Sequence, residues 1–284
     1  MPMRPIFGDK PLWFHCLLLA FLLVFAMALT SVLILNMPSN AYHAQALVNS
    51  LIFLLLPALF YGQLVYQAPL QESGFRSPGN KNFFVLAVVV MLVSIPMVQV
   101  LAGWNEGLHF PVAGADKWIH DTEKSQDAFQ EQILNMPTPG YLGLNLLVMA
   151  FCPALGEEAF FRGVIQKILV RATRNVHVGV WLGAILFSAM HFQFLGFFPR
   201  LALGLVLGYL YAYSGSLWPS IVAHSVYNAS QVIFFYAQQH QSGTHPNPVF
   251  DTNATMPLSY GLISTVLVLA CFVWMKRIKT TTWP

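Results

Sequence analysis

Eight apolar stretches, most of them about 20 residues long and so able to cross a bilayer, constrain this chain more than any other feature. They fall at 12–35, 44–66, 83–103, 141–165, 178–196, 199–213, 217–238 and 258–276. Hydrocarbon offers no water to the backbone, so each stretch must satisfy its own N–H and C=O groups, as a helix does. The expectation is an all-α polytopic membrane protein of about eight transmembrane helices. Composition agrees, with 56% hydrophobic and 9% charged residues, where soluble domains carry roughly a quarter charged. The net charge of +3 comes without a basic cluster, which argues against nucleic acid as a partner. Membrane lipids and a membrane-associated substrate are the expected partners.

The whole chain, 1–284, reads as one membrane domain without internal repeats. Residues 1–140 hold apolar helices and an acidic outer loop, 141–239 hold the unusual polar motifs, and 240–284 hold an outer loop and a last helix. The first stretch follows Arg4 and Lys10, and "AMA" at Ala26–Ala28 resembles a cleavage site. Its length exceeds the ~7–15 residues of a signal-peptide core, so a retained helix is expected. Pro57, Pro96 and Pro153 fall inside spans, which membrane helices tolerate when neighbours satisfy the freed carbonyls. Cys16, Cys152 and Cys271 lie far apart in apolar runs and read as packing residues.

With the N-terminus inside, 11 of the 14 lysines and arginines fall on the inner side, and Lys117, Lys124 and Arg200 on the outer. The excess predicts both termini in the cytoplasm, in a plasma (inner) membrane. The outer segment "DKWIHDTEKSQDAFQEQIL" has helical character, and either Trp118, Phe129 and Ile133 rest it on the interface or it is an exposed loop helix. Residues 239–256 read as an irregular outer loop with a glycosylation-like triplet at Asn253.

Against this background "GEEAFFRG", 156–163, stands out. A central charge costs roughly 2.5–3.5 kcal/mol on insertion, whereas a Leu or Phe returns about 0.3–0.6 kcal/mol. Glu158 and Arg162 are i,i+4 and can pair on one face. Glu157 is turned from Glu158 by about 100° and points elsewhere, so one arginine cannot neutralise both acids. A carboxylate in a partly dry site beside a second one is biased toward a raised pKa, the property of a general base.

Two histidines lie inside apolar stretches, His191 in "FSAMHF" and His224 in "SIVAHSVYN". His191 shares a stripe with Gly179, Gly183 and Phe187, and Gly204 and Gly208 repeat the small-residue spacing. Such stripes mark helix–helix faces. His224 and Asn228 are i,i+4 and share a face. Intramembrane ionisable groups are functional by default. Counting rise per residue puts Glu157 and His224 roughly 10 Å from the cytoplasmic ends, so the expected cavity opens toward the cytoplasm.

"EEAFFR", "FSAMH" and "HSVYN" resemble the E-E-x-x-x-R, F-x-x-x-H and H-x-x-x-N/D motifs of the CPBP family, the CAAX proteases and bacteriocin-processing (Abi) enzymes. They stand in the family's order within 141–239, which marks that segment as a CAAX-protease-like core. An eight-helix layout is similar to that of type II CAAX prenyl endopeptidases. The resemblance implies intramembrane peptide-bond hydrolysis. Glu157 would be the general base that activates water, and His191 would help to hold that water. His224 and Asn228 would form the oxyanion hole. Glu158 and Arg162 would support the site, with Arg162 orienting the acids or binding a substrate carboxylate. The division of labour between Glu157 and Glu158 stays open.

The family is often classed as metalloprotease, and Glu157, His191 and His224 offer a set for Zn²⁺. Asn228 is not a usual zinc ligand and suits an oxyanion hole, so no cofactor is favoured, with zinc the alternative. Other intramembrane protease signatures are missing: H-E-x-x-H, G-x-S-G and G-x-G-D do not occur. The rival readings are a proton- or ion-coupled transporter and a non-catalytic scaffold or immunity protein. The substrate, prenylated CAAX-type or otherwise, is not written in the sequence.

Overall fold

A computed structural model describes residues 6–108, 117, 121, 124, 128–240 and 256–281. Trp118 and Asn253, singled out above, lie outside them. All regular structure among the described residues is helical. The eight main helices are α1 (Leu12–Leu35), α2 (Tyr42–Val65), α3 (Asn82–Glu106), α4 (Pro139–Thr173), α5 (Val176–Ala189), α6 (Phe197–Ser214), α7 (Leu217–Gln239) and α8 (Leu258–Arg277). Among the described residues six helices are long and apolar enough to cross a membrane, α6 counting with the turn before it; α5 is shorter and α7 more polar. Apolar stripes face outward, including Leu17, Phe21 and Phe25 on α1 and Leu262, Val266 and Val273 on α8. Their i,i+4 and i,i+7 spacing makes continuous faces suited to lipid acyl chains. The chain is an integral membrane protein with an all-α fold.

The prolines are accommodated by two local devices. Pro57 and Pro153 stand just beyond π-helical turns at Asn49–Leu55 and Leu146–Phe151, one residue intervening, and a wider turn relaxes the clash and the missing donor that proline brings. Pro96 sits in mid-helix, and the gap it opens is closed from outside. The Ser264 hydroxyl of α8 accepts from Met97 N at 3.1 Å and donates to the Val93 carbonyl. A neighbour's hydroxyl thus replaces the 97-to-93 backbone bond.

Two apolar packs flank α4. One joins α1, α2, the second half of α4 and Phe187 of α5, with Leu19, Tyr61, Phe160 and Val164 buried. The other joins α3, α6 and α8 through Leu86, Val90, Leu207 and Met275, and takes in Ala223 of α7. The small-residue stripes set the contacts between them. A Cβ on Gly204 would stand 3.1 Å from Ala184 Cβ, and one on Gly208 2.9 Å from Val180 Cγ1, so α5 and α6 touch through these glycines. Gly179 does the same against α4, where a Cβ would meet Val170 Cγ2 at 2.3 Å.

Hydrogen bonds group the helix ends. At one end Phe7 N bonds Leu64 O, Arg76 Nε bonds Gly215 O and Thr280 N bonds Tyr213 O. At the other, Asn105 bonds Phe194 O and Phe198 N, and Met136 N bonds Gln239. Three sequence expectations are corrected. The fourth helix runs to Thr173 rather than 165, because Lys167 and Arg171 end the apolar run without ending the helix. The fifth ends at Ala189 rather than 196, and His191 sits in the turn beyond it. Ile133 is fully buried and its carbonyl accepts from Asn145 Nδ2 at 2.8 Å. It does not rest on the membrane interface.

Candidate active site

The motif-bearing part of α4 lies between the two packs. Gly156 makes this possible, since a Cβ there would stand 2.5 Å from the Ser50 carbonyl oxygen of α2. The next two residues then diverge by the helical rotation. Glu158 is fully buried, while Glu157 keeps 16% exposure. A π-helical turn at Phe161–Ile165 carries Arg162, itself 2% exposed.

Arg162 Nη1 donates to Glu158 Oε1 at 2.8 Å, and Nη2 to the Gly204 carbonyl at 3.1 Å. Its guanidinium also lies over the Phe187 ring, 4.6 Å from the centroid. Glu158 Oε1 receives a second bond, from His224 Nδ1 at 2.9 Å. Both bonds fall on Oε1, while Glu158 Oε2 is buried without a hydrogen-bond partner among the described residues, so the ion pair is satisfied through one carboxylate oxygen. One turn on, Gln166 Nε2 repeats the Arg162 contact by donating to Gly208 O at 3.1 Å.

Glu157 turns the other way. Its Oε2 is buried and has no hydrogen-bond partner among the described residues. It stands 3.7 Å from His224 Nε2 and 3.9 Å from His191 Nε2. These separations exceed a direct hydrogen bond and match a gap bridged by one water. His191 Nδ1 contacts the Phe187 carbonyl at 2.8 Å. A carbonyl only accepts, so Nδ1 carries the proton and Nε2 of the neutral ring presents a lone pair to Glu157.

These groups line a cavity of about 830 Å³, together with Asn228, Tyr227, Phe187 and the apolar wall Met91, Val98, Leu203 and Leu207. The volume lies within the roughly 300–1,000 Å³ typical of ligand sites. All six residues singled out from the sequence meet here: Glu157, His191, His224 and Asn228 on the cavity, Glu158 and Arg162 immediately behind it. Phe187 was legible only as part of a stripe. Its ring packs on Arg162 and both histidines, with centroids 5.0 Å from His191 and 5.9 Å from His224. The Gly204 and Phe187 carbonyls carry no sequence signal at all.

The direction of opening differs from the sequence expectation. Glu106, Gln130, Gln193, Arg200 and Gln231 line the cavity, and all belong to the end opposite the one that gathers Phe7, Arg76 and Thr280. The depth count failed for Glu157 because α4 continues to Thr173, which places it about 24 Å from that helix end, whereas His224 does lie about 10 Å from the start of α7 at Leu217.

By type, Glu157, His191 and His224 suit Zn²⁺, and each histidine has Nδ1 held so that Nε2 is free. Their spacing does not suit it: neighbouring ligands of a tetrahedral zinc stand about 3.3 Å apart, and among the described residues no group of three His, Cys, Asp or Glu is disposed to hold a metal ion.

Residues 139–230 match the family described as type II CAAX prenyl endopeptidase Rce1-like. Over this stretch, about a third of the chain, it is similar to that family, and the resemblance carried by the three motifs is borne out. Among curated proteins, an uncharacterized protein of Bacillus subtilis (strain 168), YpbD, is 29% identical over 114 residues. The match covers 38% of this chain and 53% of YpbD, so the chain spans about half the length of that relative. No solved structure matches significantly.

Proposed function

We propose that the chain is an intramembrane endopeptidase of CAAX-protease type, hydrolysing a membrane-associated peptide by glutamate-activated water. The observation that carries this reading is the unpartnered Glu157 Oε2 facing two imidazole Nε2 atoms at 3.7 and 3.9 Å. Glu157 and His191 both present acceptors across a gap of one water. A water there donates one O–H to each and points a lone pair into the cavity. Glu157 takes the proton as the water oxygen bonds to the scissile carbonyl carbon, a general-base role worth typically 10²–10⁴-fold.

The carbonyl oxygen then becomes an oxyanion. Asn228 Nδ2 donates to it, and so does His224 Nε2 when the ring is imidazolium, its Nδ1–H held on Glu158. Collapse of the tetrahedral intermediate breaks the C–N bond, and the proton held on Glu157 passes to the leaving amine. Arg162 fixes Glu158, which fixes His224; Arg162 and Glu158 are positioning residues. No step is routed through a metal.

The test is cleavage of a quenched farnesylated CAAX peptide, and of its unfarnesylated counterpart, by purified protein in detergent. Wild type is expected to cleave, Glu157→Gln to lose at least about 100-fold, and exhaustive chelation to leave the rate unchanged. Loss of activity on chelation with recovery on Zn²⁺ would replace this mechanism by a zinc one. Undiminished cleavage by Glu157→Gln would refute the role of that glutamate.

A further inference from the structure

The proposed reaction does not say from which side a peptide enters, but the fold does. Nine of the described basic residues, Lys10, Arg76, Lys81, Lys167, Arg171, Arg174, Lys276, Arg277 and Lys279, lie at or beyond helix ends on one side of the bundle. Hydrogen bonds tie that end together from Phe7–Leu64, Arg76–Gly215 and Thr280–Tyr213. The positive-inside rule places it in the cytoplasm.

The cavity runs the other way. Along α3 its lining passes from Met91 through Val98 and Ala102 to Glu106, a path of about 22 Å from mid-helix to the far end. On α6 it runs from Leu207 to Arg200, and on α7 from His224 to Gln231, each about 10 Å in the same direction. Glu106 and Gln231 are exposed. Below the catalytic groups toward the basic end the way is closed by buried side chains: Arg162, Gln166, Tyr211, Leu217 and Ile221 are each exposed by 2% or less.

From these two polarities we infer that the active site opens to the non-cytoplasmic face of the membrane, and that its substrate is a peptide or membrane-anchor segment delivered from that face with an apolar residue beside the cleaved bond. The apolar requirement follows from Met91, Val98, Leu203 and Leu207, which line the cavity together with the catalytic groups. A prenylated tail of a cytoplasmic protein would meet the closed end. The substrate class rests on the proposed hydrolysis; the sidedness does not.

The test separates the two. Single cysteines replace Glu106 or Gln231 at the mouth and Lys81 or Lys279 at the basic end, in a background with Cys16, Cys152 and Cys271 changed to Ala. Intact cells and inverted vesicles are treated with a membrane-impermeant maleimide. The expected result is labelling of Glu106→Cys and Gln231→Cys from outside, and of Lys81→Cys and Lys279→Cys only in inverted vesicles. Mouth cysteines labelled from the cytoplasmic side, or equally from both, overturn the inference whatever the protein catalyses. Should a background variant fail to insert, the native-cysteine protein carrying the same replacements serves, since Cys152 and Cys271 are buried and Cys16 alone supplies the control. For the substrate, an impermeant quenched peptide with an apolar centre is added to one side of sealed vesicles of known orientation. Cleavage only when it meets the mouth side, absent in Glu157→Gln, supports the class; cleavage only from the basic side overturns it. No cleavage from either side, with outside labelling intact, removes the peptidase reading and the substrate class and leaves the sidedness standing.

Discussion

Replacing Arg162 by Met tests whether the buried pair behaves as the geometry requires. The variant strips Glu158 of its 2.8 Å partner, frees the Gly204 carbonyl and removes the cation over Phe187. Breaking a buried pair costs about 3–5 kcal/mol because a charge is left uncompensated. The Gly204 bond adds about 1 kcal/mol, and the cation–π contact up to about 2 kcal/mol. These do not add simply, and His224 Nδ1 remains on Glu158 Oε1, so about 3–5 kcal/mol is expected in all. The decisive comparison is the double variant Arg162→Met with Glu158→Gln. The introduced amide is uncharged and its oxygen still accepts from His224, so the double variant should recover at least about 1 kcal/mol relative to Arg162→Met alone. Unfolding in mixed detergent–SDS micelles reads both, with Glu158→Gln completing the cycle. A double variant no more stable than Arg162→Met would refute the idea that Arg162 is retained to neutralise Glu158.

Ser264→Ala should leave Met97 N–H and Val93 C=O unpaired at the Pro96 site and cost about 1–3 kcal/mol; adding Pro96→Ala restores a regular ladder and should recover most of that in the same unfolding assay. Gly156→Leu should overpack the contact with the Ser50 carbonyl and destabilise by at least about 1–3 kcal/mol, whereas substitution at Gly103, which has open space around its Cβ position, should not. Phe187→Leu keeps the carbonyl that holds His191 but removes the ring from Arg162 and the histidines. It should lower kcat of peptide cleavage more than it raises KM.

The eight helices were legible because each apolar run exceeds what chance supplies, and the six polar residues because membrane insertion penalises them singly. The 100° rotation between Glu157 and Glu158 already separated a paired acid from an unpaired one, and the structure shows Glu158 on Arg162 and Glu157 on the cavity. Depth was not legible. Hydropathy marks where lipid ends, not where a helix ends, so it stops α4 short at Lys167 and Arg171 and carries α5 through His191 into the next turn. Main-chain acceptors were invisible for a different reason: Phe187 O and Gly204 O hold His191 and Arg162 through atoms every residue possesses.

The measurement that bears most directly on the account is peptide cleavage by the purified protein, read by mass spectrometry, with wild type and Glu157→Gln compared at matched folding. The account predicts defined hydrolysis products from wild type and a loss of at least about 100-fold in the variant, with unchanged thermal unfolding. Products formed equally by both proteins, or by neither, would contradict it.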